Sequence, residues 1–283
     1  SLIRGIDVSE RKTPPEKAAL LITKAIACRL QEAVLANPDS VITTDILASS
    51  GLLSDFVEYS NGIQSGDSCR FTVNFWELSD RRGLWDYIQT PSRNEGYYCG
   101  IDSLFRWDSG RGDYWNYVTE RLGDGGQRAW IRGLDFRGRG GVAISATGNI
   151  SCCLYFGEFW NDSVLVLTPN DPENLSAVYA FCKSSNFEAD VRLIDQKLNV
   201  RSAVTKVRFD VQRWREAAAA LLPEGIPKAF TNDVAEAAFH GHPQPTTDPI
   251  QVAVARLAGY RWPAETDTAM ELADEARTWI ARS

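Results

Sequence analysis

The 283-residue sequence holds one methionine, Met270, and two histidines, His240 and His242. Both imidazoles lie in one proline-rich stretch, which leaves a Ser-His-Asp or Cys-His triad little to draw on. The six cysteines, at 28, 69, 99, 152, 153 and 182, contain no Cys-x-x-Cys pair. That excludes the recognised zinc-ligand spacings. The adjacent Cys152 and Cys153 would bridge only with strain, so reduced, mostly buried thiols are expected. No run approaches the roughly 18 apolar residues of a membrane span, and the N-terminus lacks the basic-then-apolar order of a signal peptide. A cytoplasmic chain without a membrane partner is expected. There is no Walker lysine pattern, and Gly138-Arg139-Gly140-Gly141 precedes an apolar run rather than following one, so it reads as a turn feeding a strand. With Ser1 at the first position and a single, late methionine, the sequence reads as a portion of a longer protein.

What is present describes a globular chain: 44% hydrophobic, 11% aromatic and 24% charged residues, enough for one large domain or two smaller ones. The net charge of −7 at first argues against a nucleic-acid partner. Its distribution changes that reading. Residues 62–150 carry eleven basic and eleven acidic groups and residues 151–215 eight of each, whereas 216–283 carry five and ten. Across 62–215 the basic residues are sixteen Arg and three Lys, and guanidinium offers a rigid fork of donors suited to phosphate and guanine.

Along the chain, Thr13-Pro14-Pro15-Glu16 is a capping-box arrangement that opens a helix expected over 13–36. A weaker helix is expected at about 54–59. From Gly62 the texture becomes rich in glycine and tryptophan, with strands expected at Val142–Ile144, Cys153–Phe156 and Val164–Leu167. Gly62–Phe71 reads as a polar loop running into a strand with Phe71, Val73, Phe75 and Trp76. Helices follow from Asn170-Asp171-Pro172-Glu173 through Cys182, from Phe187 to Leu198 and from Val211 to Leu222, with a short strand at Lys206–Phe209. Five prolines in 223–249 suggest a linker before amphipathic helices at 250–260 and 268–281. The fold class expected is α+β: a helical connector (1–61), a sheet-rich target-recognition domain (62–215) and a C-terminal helical segment (216–283).

Several constellations could carry chemistry. His240-Gly241-His242 would need carboxylates such as Glu236 or Asp248 to hold a metal, and no metal site is expected. Asp195-Gln196-Lys197 matches the acid-x-lysine half of a magnesium nuclease, but Glu10-Arg11-Lys12 repeats it without a partner motif. A metal-dependent nuclease and a protein-interaction module that docks through the acidic C-terminal helices are therefore alternatives. The stronger signal is distributed. Arg81, Arg82, Arg106, Arg111, Arg128, Arg132, Arg137 and Arg139 sit in or beside loops, followed by Lys197, Arg201, Lys206 and Arg208. Arginine loops on a rigid sheet suit phosphate and base contacts.

Gly62-Ile63-Gln64-Ser65-Gly66-Asp67-Ser68-Cys69-Arg70-Phe71 resembles the G-x-x-T-G-D-x-x-R-F that begins the target-recognition region of large single-chain bacterial adenine-specific DNA methyltransferases. That family includes type IIG restriction–modification enzymes and the methyltransferases of BREX and DISARM phage defence. Matching blocks follow in order: Gly141–Ser145, Tyr155–Glu158, Ala180–Ser184, Ile194–Val200, Phe209-Asp210 with Trp214, His240–Pro243, Gln251–Leu257 and Gly259–Pro263. The resemblance covers about residues 15 to 277. Ser65 stands where threonine is usual, Arg201-Ser202 where Thr-Asn is, and Arg208 where a proline is.

The resemblance implies sequence-specific binding of double-stranded DNA. The contacts would be Gln64, Ser65, Arg70, Arg81, Arg82, Arg106, Arg128, Arg132, Arg137, Arg139, Lys197, Lys206 and Arg208. The Asn/Asp-Pro-Pro-aromatic motif and the cofactor loop of such enzymes do not occur here. No catalytic residue and no cofactor are therefore expected in this region. S-adenosylmethionine and the methyltransferase domain are implied for the parent chain, with defence-system proteins as further partners.

Overall fold

The computed structural model describes residues 1–43, 51–78, 83–92, 96–229, 231, 233, 236–237, 248–261, 263–266, 268 and 274–282. Its strands are β1 (Leu2–Gly5), β2 (Ala27–Leu30), β3 (Val57–Asn61), β4 (Thr72–Asn74), β5 (Trp85–Gln89), β6 (Ser103–Arg106), β7 (Gly141–Ser145), β8 (Cys152–Tyr155), β9 (Phe159–Trp160) and β10 (Val164–Pro169). The α-helices are α1 (Pro14–Thr23), α2 (Gln31–Leu35), α3 (Ser68–Phe71), α4 (Asp113–Leu122), α5 (Leu175–Lys183), α6 (Ser185–Ile194), α7 (Val211–Leu221), α8 (Pro249–Leu257), α9 (Pro263–Thr266) and α10 (Asp274–Arg282). The fold is α+β.

One sheet has the order β3-β10-β7-β8, all antiparallel. Successive strand residues point to opposite faces, and both faces of this sheet are covered. Val142, Ile144, Cys152, Leu154, Leu165 and Leu167 join a core with residues of α5, α6 and α7. Ala143, Cys153, Tyr155, Val164 and Val166 join Cys99 and Trp160 on the other face. Burial on both sides is why these strands read as unbroken apolar runs. Residues on both sides of position 62 contribute, since β3 pairs with β10 from Leu165↔Asn61 to Pro169↔Val57.

The second sheet has the order β4-β6-β5-β9, with β5 and β9 parallel. Ile88 and Phe105 from it pack with Phe71 and with Tyr114 and Val118 of α4 in a third core, which Trp107, Tyr117 and Trp130 flank. The chain crosses between the sheets at Gly62. A Cβ there would lie 2.1 Å from the Trp160 carbonyl oxygen and 2.2 Å from that of Asn161, so only glycine fits. The Ile63 N–H then donates to the Trp160 carbonyl at 2.7 Å.

Several local expectations change. The helix beginning at Pro14 stops at Thr23 instead of running to 36, because Ala27–Leu30 pairs antiparallel with Leu2–Gly5. Its start is as expected: the Glu16 carboxylate accepts from the Thr13 N–H at 3.1 Å. Leu53–Asp55 is a single 3-10 turn leading into β3, not a helix over 54–59. The segment expected to extend from Phe71 first makes the one-turn α3. Residues 113–122, within the stretch read as sheet-rich, are helical. Arg208 makes one isolated bridge to Leu52 rather than a strand. No helix among the described residues is long and apolar enough to cross a membrane.

Candidate nucleic-acid interface

The loop after β3 is pinned from below by aromatic side chains. The Gln64 N–H donates to the Trp130 carbonyl at 3.0 Å, and the Gln64 carbonyl accepts from the Tyr114 hydroxyl at 3.0 Å. Burial pushes the Tyr114 phenol above its ordinary pKa, which keeps it a donor. The Tyr117 hydroxyl donates to the Gly66 carbonyl at 3.3 Å. Gly66 has φ +68°, and a Cβ there would meet the Trp130 ring at 2.2 Å. The loop thus lies flat on Trp130, with half-buried Ser65 on it. Asp67 then caps α3 by accepting the Arg70 backbone N–H at 3.3 Å.

Arg70 is exposed, and its guanidinium lies 4.9 Å from the Phe71 ring centroid and 5.6 Å from that of Tyr117. Arg121, four residues after Tyr117 on α4, lies 5.1 Å from the same ring. Arg128 is exposed two residues before Trp130, whose ring centroid is 6.2 Å from that of Tyr117. None of Arg70, Arg121 and Arg128 has a salt-bridge partner among the described residues. Tyr117, Arg121 and Trp130 were not among the sequence-derived contacts. Tyr114, Val118 and Arg121 follow helical spacing up to the stop at Gly123, which was the available signal.

The other candidate cations are placed differently. Arg106 pairs with Asp113 at 3.0 Å, Arg137 with Asp86 at 3.1 Å and Arg139 with Glu58 at 3.0 Å. Arg137 also lies over the Phe159 ring at 3.8 Å. Arg132 is half-buried and donates through Nε to the Gly62 carbonyl at 3.0 Å, bracing the crossing that leads into the loop.

Lys197, Lys206 and Asp195 line a separate open cleft of about 600 Å³ with Ser202 and Val41. There Asp195 accepts the Lys197 backbone N–H at 2.9 Å. Arg208 is exposed beside Leu52. Arg81, Arg82, His240 and His242 lie outside the described residues. No group of three or more His, Cys, Asp or Glu among the described residues could hold a metal ion. The described cysteines are all free: Cys28 and Cys69 are exposed, the other four buried.

Two further ionisable groups are buried. Glu158 is buried with neither carboxylate oxygen hydrogen-bonded, and burial pushes its pKa up to about 8. Glu236 is buried and accepts the Gly100 and Ile101 N–H groups at 2.7 and 2.6 Å. No family model and no curated protein matches the sequence.

Proposed function

We propose that this chain recognises double-stranded DNA by sequence, as the target-recognition part of an adenine-specific, S-adenosylmethionine-dependent DNA methyltransferase of restriction–modification or phage defence. The observation that supports it is the face where the 62–71 loop meets α4. There Arg70 and Arg121 stand against Tyr117, with Arg128 exposed two residues before Trp130, and none of the three has a carboxylate partner among the described residues. Unpaired guanidinium groups on a braced surface engage a phosphate or a base edge at no cost of breaking an ion pair. Arg106, Arg137 and Arg139 would first have to leave a carboxylate. In this reading the reacting adenine and its cofactor belong to the methyltransferase domain, and this chain supplies register and address.

The test is duplex binding by the full chain at two salt concentrations. Arg121→Ala and Arg128→Ala should weaken binding to all sequences alike, each reducing the slope of log K against log salt by about 0.9. An unchanged slope and affinity in both variants would remove this face from the interface.

A further inference from the structure

The geometry points to Arg70 as a reader of guanine in the major groove, an inference that rests on the DNA reading above. A guanidinium that reads a base edge must be held in place, must have its N–H edge unused, and must not prefer phosphate. Arg70 meets the first condition through both ends of its residue. Its backbone N–H is capped by Asp67, and its guanidinium lies against Phe71 and Tyr117. Phe71 is fully buried, with its ring 5.3 Å from Tyr114 and 5.2 Å from Tyr117, so the support does not yield. Stacking an arginine on rings reduces the rotamer freedom lost on binding.

The second condition follows from the hydrogen bonds. Among the described residues, no acceptor engages the Arg70 side chain, which leaves its fork for the O6 and N7 acceptors of guanine.

Asp67 decides the third. Its carboxylate sits at the start of the same helical turn, with Oδ1 3.3 Å from the Arg70 backbone nitrogen. The Asp67 carboxylate makes no ion pair with the guanidinium, but a phosphate seated on Arg70 would add a second negative charge to the turn that Asp67 caps, whereas a base edge carries no formal charge. Arg121, supported on one ring near the C-terminal end of α4, is less firmly placed and suits phosphate better.

Selection of duplexes from a random pool by the full chain, followed by affinity measurements, separates the outcomes. The selected sequence should contain an invariant guanine. Arg70→Ala, which removes every donor, should lower affinity for that sequence by roughly 5- to 150-fold and abolish the preference at that one position. The salt slope should not change. Replacing that guanine by 7-deazaguanine, which lacks the N7 acceptor, should weaken the wild type and leave Arg70→Ala unaffected. Melting temperatures of Arg70→Lys and Arg70→Ala should match the wild type, since the side chain is exposed.

If Arg70→Ala retains the guanine preference, or weakens every sequence equally and flattens the salt slope, Arg70 is not a base reader. The DNA reading would survive either result. Failure of the chain to select any sequence would end both.

Discussion

Glu158 is the residue whose environment departs most from what its type expects. Its carboxyl group is enclosed near Arg137 and the backbone N–H groups of Phe156 and Glu158, which favour the charged form, but neither oxygen makes a well-formed hydrogen bond and burial outweighs them. A buried ion without partners is costly, so the group keeps its proton to about pH 8 instead of the usual 4.5. The sign follows from the two states. Below pH 4.5 both the folded and unfolded chains hold the proton, and Glu158 has no effect on stability. Between 4.5 and 8 the unfolded chain releases it while the folded one retains it, so stability falls as pH rises, by at most about 1.4 kcal/mol per unit. Glu158→Gln should therefore melt like the wild type near pH 4 and increasingly above it towards pH 8. Thermal melts of both proteins across that range would show this, and parallel curves would refute it.

At the scale of elements, the crossing at Gly62 governs where the arginine loop lies. Two of the three atoms that a Cβ would strike are backbone carbonyl oxygens, which cannot rotate aside, and the third is Cδ1 of the buried Trp160 ring. Gly62→Ala should cost about 1–3 kcal/mol in chemical denaturation, and should weaken any DNA binding by displacing residues 64–70. A smaller local term is the cap of α7, where Asp210 accepts the Arg213 N–H at 3.1 Å. Asp210→Ala should cost about 1 kcal/mol and leave the arginine face unaltered.

The elements also show how far local pattern carries. β7, β8 and β10 were legible because a sheet covered on both faces needs uninterrupted apolar runs. The start of α1 was legible from its cap, but its end was not. Ala27–Leu30 continues the apolar texture while its hydrogen bonds go to β1, more than twenty residues earlier. No residue of α1 is buried, so packing within the chain does not extend the helix. α4 was missed because its buried face is Tyr114 and Val118, flanked by Trp115 and Tyr117, types that fit a strand equally well.

For the whole molecule, the segment after α7 acts as a strap. The Tyr98 hydroxyl donates to the Pro227 carbonyl at 2.8 Å, and the Ala237 N–H to the Ile101 carbonyl at 2.8 Å. Glu236 holds the Gly100 and Ile101 N–H groups from the same side. The proline content of 223–249 suggested a linker, yet Pro227, Glu236 and Ala237 are tied to the 98–101 segment. Glu236→Ala would leave two backbone donors without an acceptor, and should cost about 1–3 kcal/mol. Limited proteolysis should then cut the strap sooner in the variant; equal cleavage rates would mean that its other contacts suffice.

Composition and spacing alone determined the α+β class, the doubly buried strands, several helix starts and the list of cations. Only the tertiary structure separated those cations into two kinds. Asp86 is 51 residues from Arg137 and Glu58 is 81 from Arg139, distances at which no local pattern can foresee a pairing. Arg70 and Arg121 converge on Tyr117 only because the loop after β3 folds onto α4. Hydrogen-bond periodicity is written in neighbouring residues, whereas the freedom of a charge depends on which distant carboxylates the packed sheets bring to it.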